Sequence, residues 1–155
     1  MAISTNDAVF KYGTQKTITT TGAATANNAV SAAAGTYSSS DTADAFDAVF
    51  VLATATWGSA PTANTTIDLY VRPMNVVSTT DTDAPAVPGS ATTWKPQFVC
   101  SFLVPGAATT ANVLYARGYN LPKEGEFYVF NNATGQSLAV NWALYMTPTT
   151  LGPSA

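Results

Sequence analysis

The chain alternates between apolar and polar positions in short stretches separated by turn residues. Ile67, Leu69 and Val71 interleave with Asp68, Tyr70 and Arg72, a period of two that predicts a half-buried strand closed by Pro73. Before it, residues 46–57, from Phe46 to Trp57, form a run rich in β-branched and aromatic residues that stops at Gly58-Ser59-Ala60-Pro61. After it, Phe98, Cys100, Phe102 and Val104 fall on one face of a strand ending at Pro105-Gly106. Val113–Tyr119, carrying Arg117, predicts another strand, and a turn over Pro122-Lys123-Glu124-Gly125 leads into Phe127–Phe130. The loop Asn131-Asn132-Ala133-Thr134-Gly135 is rich in residues that tolerate positive φ. The last strand sets Leu138, Val140, Trp142, Leu144 and Met146 against Ala139, Asn141, Ala143 and Tyr145, with Thr147-Pro148 as its expected end.

The N-terminal third reads differently. Residues 14–21 are threonine-rich and fit a short edge strand. From Gly22 to Asp44 almost nothing large is available to bury, and Asn27, Asn28, Ser31 and Gly35 argue against a helix through Ala29–Ala34. The expectation is an extended arm over 1–45, with one strand near Val30, followed by a body over 46–148 and a tail over 149–155. Residues 78–96, with Pro85, Pro88, Gly89 and Pro96, predict a long loop. The segments together predict an all-β chain, an antiparallel β-sandwich with jelly-roll connections as the candidate topology.

Composition narrows the function. At 155 residues the chain fits one domain, and charged residues make up 10%, against about 25% in an average protein. So few charges suit a protein packed against neighbours, since little repulsion keeps its copies apart. The net charge of −3 and six scattered cations give no basic patch for nucleic acid. No apolar stretch is long enough for a membrane helix, and the first residues lack a signal-peptide pattern. Cys100 is the single cysteine, in an apolar run that suits a buried thiol, so no internal disulfide forms. The absence of disulfides suits assembly in a reducing cytoplasm.

Most catalytic arrangements have no residues to build them. With no histidine, Ser-His-Asp and Cys-His systems and Cys/His zinc sites are excluded, and no glycine-rich phosphate loop occurs. Asp81-Thr82-Asp83 lacks the glycine and distal glutamate of a calcium loop. Asp41, Asp44 and Asp47 read as a solvated turn, and Glu124 and Glu126 as solvent-facing residues rather than a glycosidase pair. Asn64-Thr65-Thr66 and Asn132-Ala133-Thr134 match the glycosylation pattern by chance in a threonine-rich chain. No enzyme, cofactor or metal is expected. Of the tryptophans, Trp142 alternates with core residues, Trp57 ends a strand, and Trp94 in the long loop is the ring expected to be accessible.

Three segments carry a resemblance: Asp68-Leu69-Tyr70-Val71-Arg72-Pro73-Met74-Asn75-Val76, Gly125 to Ser137 with its Asn132-Ala133-Thr134-Gly135-Gln136, and Trp142-Ala143-Leu144-Tyr145-Met146-Thr147-Pro148. Together, across about residues 45–153, they resemble small proteins encoded among the structural genes of tailed phages. The resemblance implies a virion protein with a β-sandwich body, a capsid decoration (cement) or minor capsid protein, with no catalytic residues. It also implies the major capsid protein as partner and self-association as a symmetric oligomer, a homotrimer at a three-fold site. Val30, Tyr37 and Trp94 are the expected partner-binding residues. The alternatives are a tail or fibre-associated β-domain and a carbohydrate-binding module.

Overall fold

The computed structural model describes residues 8–38, 40, 46–74, 97–106 and 109–153. Ten strands are described: β1 (Ala8–Tyr12), β2 (Lys16–Gly22), β3 (Ala29–Val30), β4 (Gly35–Tyr37), β5 (Asp47–Ala53), β6 (Thr65–Pro73), β7 (Gln97–Val104), β8 (Val113–Gly118), β9 (Gly125–Asn132) and β10 (Trp142–Pro153). They form two sheets, ordered β1-β10-β5-β8 with β2 also on β10, and β3-β9-β6-β7 with β4 also on β9. All strand pairings are antiparallel. Counting β1 with β2 and β3 with β4 as two interrupted strands, the sheets run 1-8-3-6 and 2-7-4-5. That order is a jelly roll, so the antiparallel sandwich expected from the sequence is present.

The core lies between the sheets. Ala48, Phe50 and Leu52 of β5, Leu114 of β8 and Trp142, Leu144 and Met146 of β10 face Ile67, Leu69, Val71, Phe102, Val104, Phe127 and Val129. Phe127 stacks on Tyr37 at 4.9 Å and meets Phe50 edge-on at 5.3 Å, which ties β4, β9 and β5 together. The alternation that forecast β6 arises because each sheet presents only one face to this core.

Four features depart from the sequence reading. In the segment expected as an arm, the edge strand over 14–21 and the strand near Val30 are present as β2 and β3, but β1 and β4 add to them. Its described residues are thus woven into both sheets, β1 and β2 on β10 and β3 and β4 on β9. Its small residues do little core filling, and backbone pairing holds it. Residues 149–153 of the expected tail also belong to a strand, since β10 continues to Pro153 opposite β1. Pro148 does not end β10 because its C=O accepts from Gly13 N, 2.8 Å away, in the break between β1 and β2. In a strand a residue's N and C=O point the same way, so the missing N–H falls on the interrupted side and the pairing of Pro148 with Ala48 survives. In β7, Leu69 pairs with Cys100 but Tyr70 pairs with Phe98, leaving Val99 as a bulge. Val99 and Cys100 are therefore both buried, and Phe98 turns outward instead of sharing the core face. Val140 also leaves the core face, because Asn141 has φ of 66° in the turn before β10.

Candidate interaction surface

The outer face of the first sheet is built from every second residue of four strands. In β8, Leu114 points inward while Val113, Tyr115 and Arg117 point out. The register sets Tyr115 beside Val51 and Val51 beside Tyr145, then Arg117 beside Val49 and Val49 beside Thr147. Toward the chain ends, Tyr12 pairs with Thr149 and Phe10 with Leu151. Phe10 is 63% exposed, Tyr115 69% and Leu151 65%, large values for apolar groups sharing one sheet face. The Arg117 guanidinium lies 5.2 Å from the Phe10 ring centre and 5.6 Å from that of Tyr119, bridging β1 to the end of β8. Asp47 and Arg117 are the charged residues of this face among those described, and Asp47 accepts from Asn120 N. The Thr149 hydroxyl is buried there without a hydrogen-bond partner.

The outer face of the second sheet carries a polar network beside two exposed apolar groups, Phe98 and Leu103, and leaves the buried Arg72 Nε without a hydrogen-bond partner. Asp68, 6% exposed, accepts from Ser101 Oγ at 2.6 Å and Asn132 Nδ2 at 2.9 Å. Asn132 Nδ2 also reaches Thr66 Oγ1. Arg72 binds Glu126 at 2.7 Å, and the Tyr128 hydroxyl donates to the same Glu126 carboxylate. Burial, with help from that bond and the Glu126 charge, pushes the Tyr128 hydroxyl up to about 12, and Arg72 works against the shift. Tyr70 and Phe98 meet edge-on at 5.6 Å, Phe98 being half exposed. Cys100 sits on the core side of β7, where burial and, less, the Asp68 charge push its thiol up to about 12, a poor nucleophile at neutral pH.

The structure separates the residues expected to bind a partner. Tyr37 is 3% exposed, its ring against Phe127 and its hydroxyl donating to Pro122 O at 2.6 Å, so it serves the core rather than a surface. Val30 is half-buried beside Phe130 on the outer face of the second sheet, away from Tyr37. Trp94, with Asp41, Asp44, Asp81 and Asp83, lies outside the described residues. Trp57 is buried, and Trp142 is buried with Nε1 donating to Ala23 O. Glu126 is held by Arg72 and Tyr128 rather than free in solvent. The exposed rings of the first sheet went unremarked in the sequence, although the alternation of Leu114 and Ala116 with Tyr115 and Arg117 carried the signal.

The Asn132-to-Gln136 segment proves structural. Asn131, fully buried, donates to Thr25 O and Gln136 O and accepts from the Thr134 hydroxyl at 2.6 Å. Gly135 takes φ of 74°, and its N–H donates to Asn27 Oδ1 while Ala133 N donates to Asn28 Oδ1. The loop thereby clamps β9 to the segment preceding β3.

Among the described residues, no three His, Cys, Asp or Glu side chains gather to hold a metal. Comparison of the chain with known protein families, curated proteins and solved structures found no match.

Proposed function

We propose that the chain is a non-enzymatic structural protein of a tailed-phage virion, a decoration or minor capsid subunit that seats the outer face of its first sheet on the major capsid protein. The observation that carries this reading is the set of exposed apolar groups around Phe10, Tyr12, Tyr115 and Leu151, with little charge to keep it hydrated. Contiguous apolar surface on a soluble chain marks a place where another surface packs. Jelly rolls house capsid and lectin domains, which agrees with the reading as a fold-level analogy. The residue resemblance through Asn132-Ala133-Thr134-Gly135-Gln136 and Trp142–Pro148 supplies the virion context. Immunogold labelling of purified particles tests it: dense labelling over the head is expected. Label confined to the tail would move the protein to a fibre or baseplate, and unlabelled particles would overturn the virion reading.

A glycan-binding role has one specific observation in its favour. Phe98 stands half exposed against Tyr70 on the face that also carries Ser101, Asp68 and Asn132, an aromatic platform on a polar sheet face. A glycan-array signal abolished by Phe98→Ala would support it, and a blank array would remove it.

A further inference from the structure

Among the described residues β8 is an open edge of the first sheet, and its backbone geometry fixes what it can pair with. Thr54 N donates to Asn112 O at 2.8 Å, and Asn112 N donates to Thr54 Oγ1, so the backbone groups of Asn112 point toward the β5 side. Directions alternate along a strand, so Leu114, Ala116 and Gly118 bond to β5, opposite Leu52, Phe50 and Ala48. The N–H and C=O groups of Val113, Tyr115 and Arg117 therefore point away from the sheet, and no strand pairs with them among the described residues.

The other edges are interrupted. β1 and β2 break at residues 13–15, and β2 shifts register twice along β10. β3 has two residues and β4 three, and β7 carries the bulge at Val99. Interruptions and bulges are how sheets protect edges, and proline and lysine serve the same end. β8 has neither residue, and its register on β5 runs without a shift.

We propose that β8 pairs antiparallel with β8 of a second copy, joining two first sheets across a two-fold axis at Tyr115. Only pairings that place outward-pointing residues opposite one another close hydrogen bonds. Centring on Tyr115 sets Val113 opposite Arg117 of the second copy and uses the backbone groups of all three residues. The strand is its own complement in this register, the requirement of an isologous contact. It stacks the two Tyr115 rings across the axis and places each Arg117 diagonal to the other copy's ring, within reach of a cation–π contact. The chain's low charge leaves little to oppose it, and Arg117 faces Val113 rather than another cation. This two-fold contact replaces the three-fold arrangement expected from the sequence, and it stands whether or not the protein belongs to a virion.

Mass in solution tests it, by light scattering across the micromolar range. The native chain is expected at twice its 16.0 kDa mass. Tyr115→Lys and Tyr115→Glu, at an exposed position that leaves the core intact, each put like charges across the axis and are expected to be monomeric with unchanged circular dichroism. Mixing the two variants is expected to restore the dimer, since lysine then faces glutamate. A monomeric native chain would overturn the proposal. So would a dimer that survives both substitutions, or one lost on Phe10→Ser instead, which would place the contact on the sheet face. If the native chain is monomeric but captures an unrelated extended peptide at β8, the edge accepts a foreign strand and the second-copy assignment fails.

Discussion

The two outer faces of the sandwich use the same alternating pattern and end in opposite states. On the second sheet, Asp68, Ser101, Asn132, Arg72, Glu126 and Tyr128 form a hydrogen-bonded network beside exposed Phe98 and Leu103, with Arg72 Nε left unpartnered. On the first sheet, Phe10, Tyr12, Tyr115 and Leu151 stand in solvent, with one arginine lodged between two rings. A polar group near the interior needs a partner to stay there, and the second face supplies most of those partners within the chain. An exposed apolar group gains from leaving water, and among the described residues nothing covers those of the first face. The proposed contact with other molecules rests on the first face, and the polar network lies on the second.

Substitutions on each face and in the core between them test that division. The largest effect belongs to the layer both faces share: Phe127→Ala removes a ring that touches Tyr37 and Phe50 and should cost about 3–5 kcal/mol in denaturant unfolding. Next, Asp68→Ala removes the acceptor shared by Ser101 and Asn132, both of which water can reach, and should cost about 1 kcal/mol. A cost near zero would mean that the second face is not held by its network.

The third effect is pH-dependent. The Cys100 thiol is raised from 9.0 to about 12 in the folded chain, so the unfolded chain loses its proton first as pH rises. Its neutral form favours the fold fully below about pH 9, and that contribution is lost as pH climbs toward 12. Stability should fall over that window, and Cys100→Ala should flatten the fall in urea titrations at each pH. The smallest effect is on the first face, where Phe10→Ser or Leu151→Ser should change unfolding free energy by no more than about 0.5 kcal/mol. A larger loss would mean that these groups stabilise the isolated fold and would blur the contrast.

Much of this architecture was legible in the sequence where a strand sits between core and solvent. Ile67, Leu69 and Val71 announced β6 because their neighbours face outward. Reading failed where pairing, not burial, decides. The strand expected near Val30 is present, but Gly35–Tyr37 form a further one because Phe127, Glu126 and Gly125 offer backbone partners, a relation invisible along the chain. Phe98 has the right parity for the core and loses it to the bulge at Val99. Pro148 looks like a terminator and is tolerated because β1 and β2 break beside it. The candidate surface was half legible: Tyr115 and Arg117 could be set on one face by counting from Leu114. That Phe10 would meet Arg117 depends on β1 and β8 lying in one sheet. Tyr37 shows the converse, since a tyrosine among small residues resembles an exposed anchor until Phe127 is found against it.

The proposed contact with the particle lies on the outer face of the first sheet. Its most direct measurement is the affinity of the purified chain for phage heads lacking it, by cosedimentation, with Phe10, Tyr12 and Leu151 all changed to serine for comparison. Each truncation of a well-packed interface anchor is expected to cost about 1 kcal/mol or more, so binding should weaken at least a hundredfold while the fold is unchanged. Equal binding of the native and triple-serine chains would contradict the account.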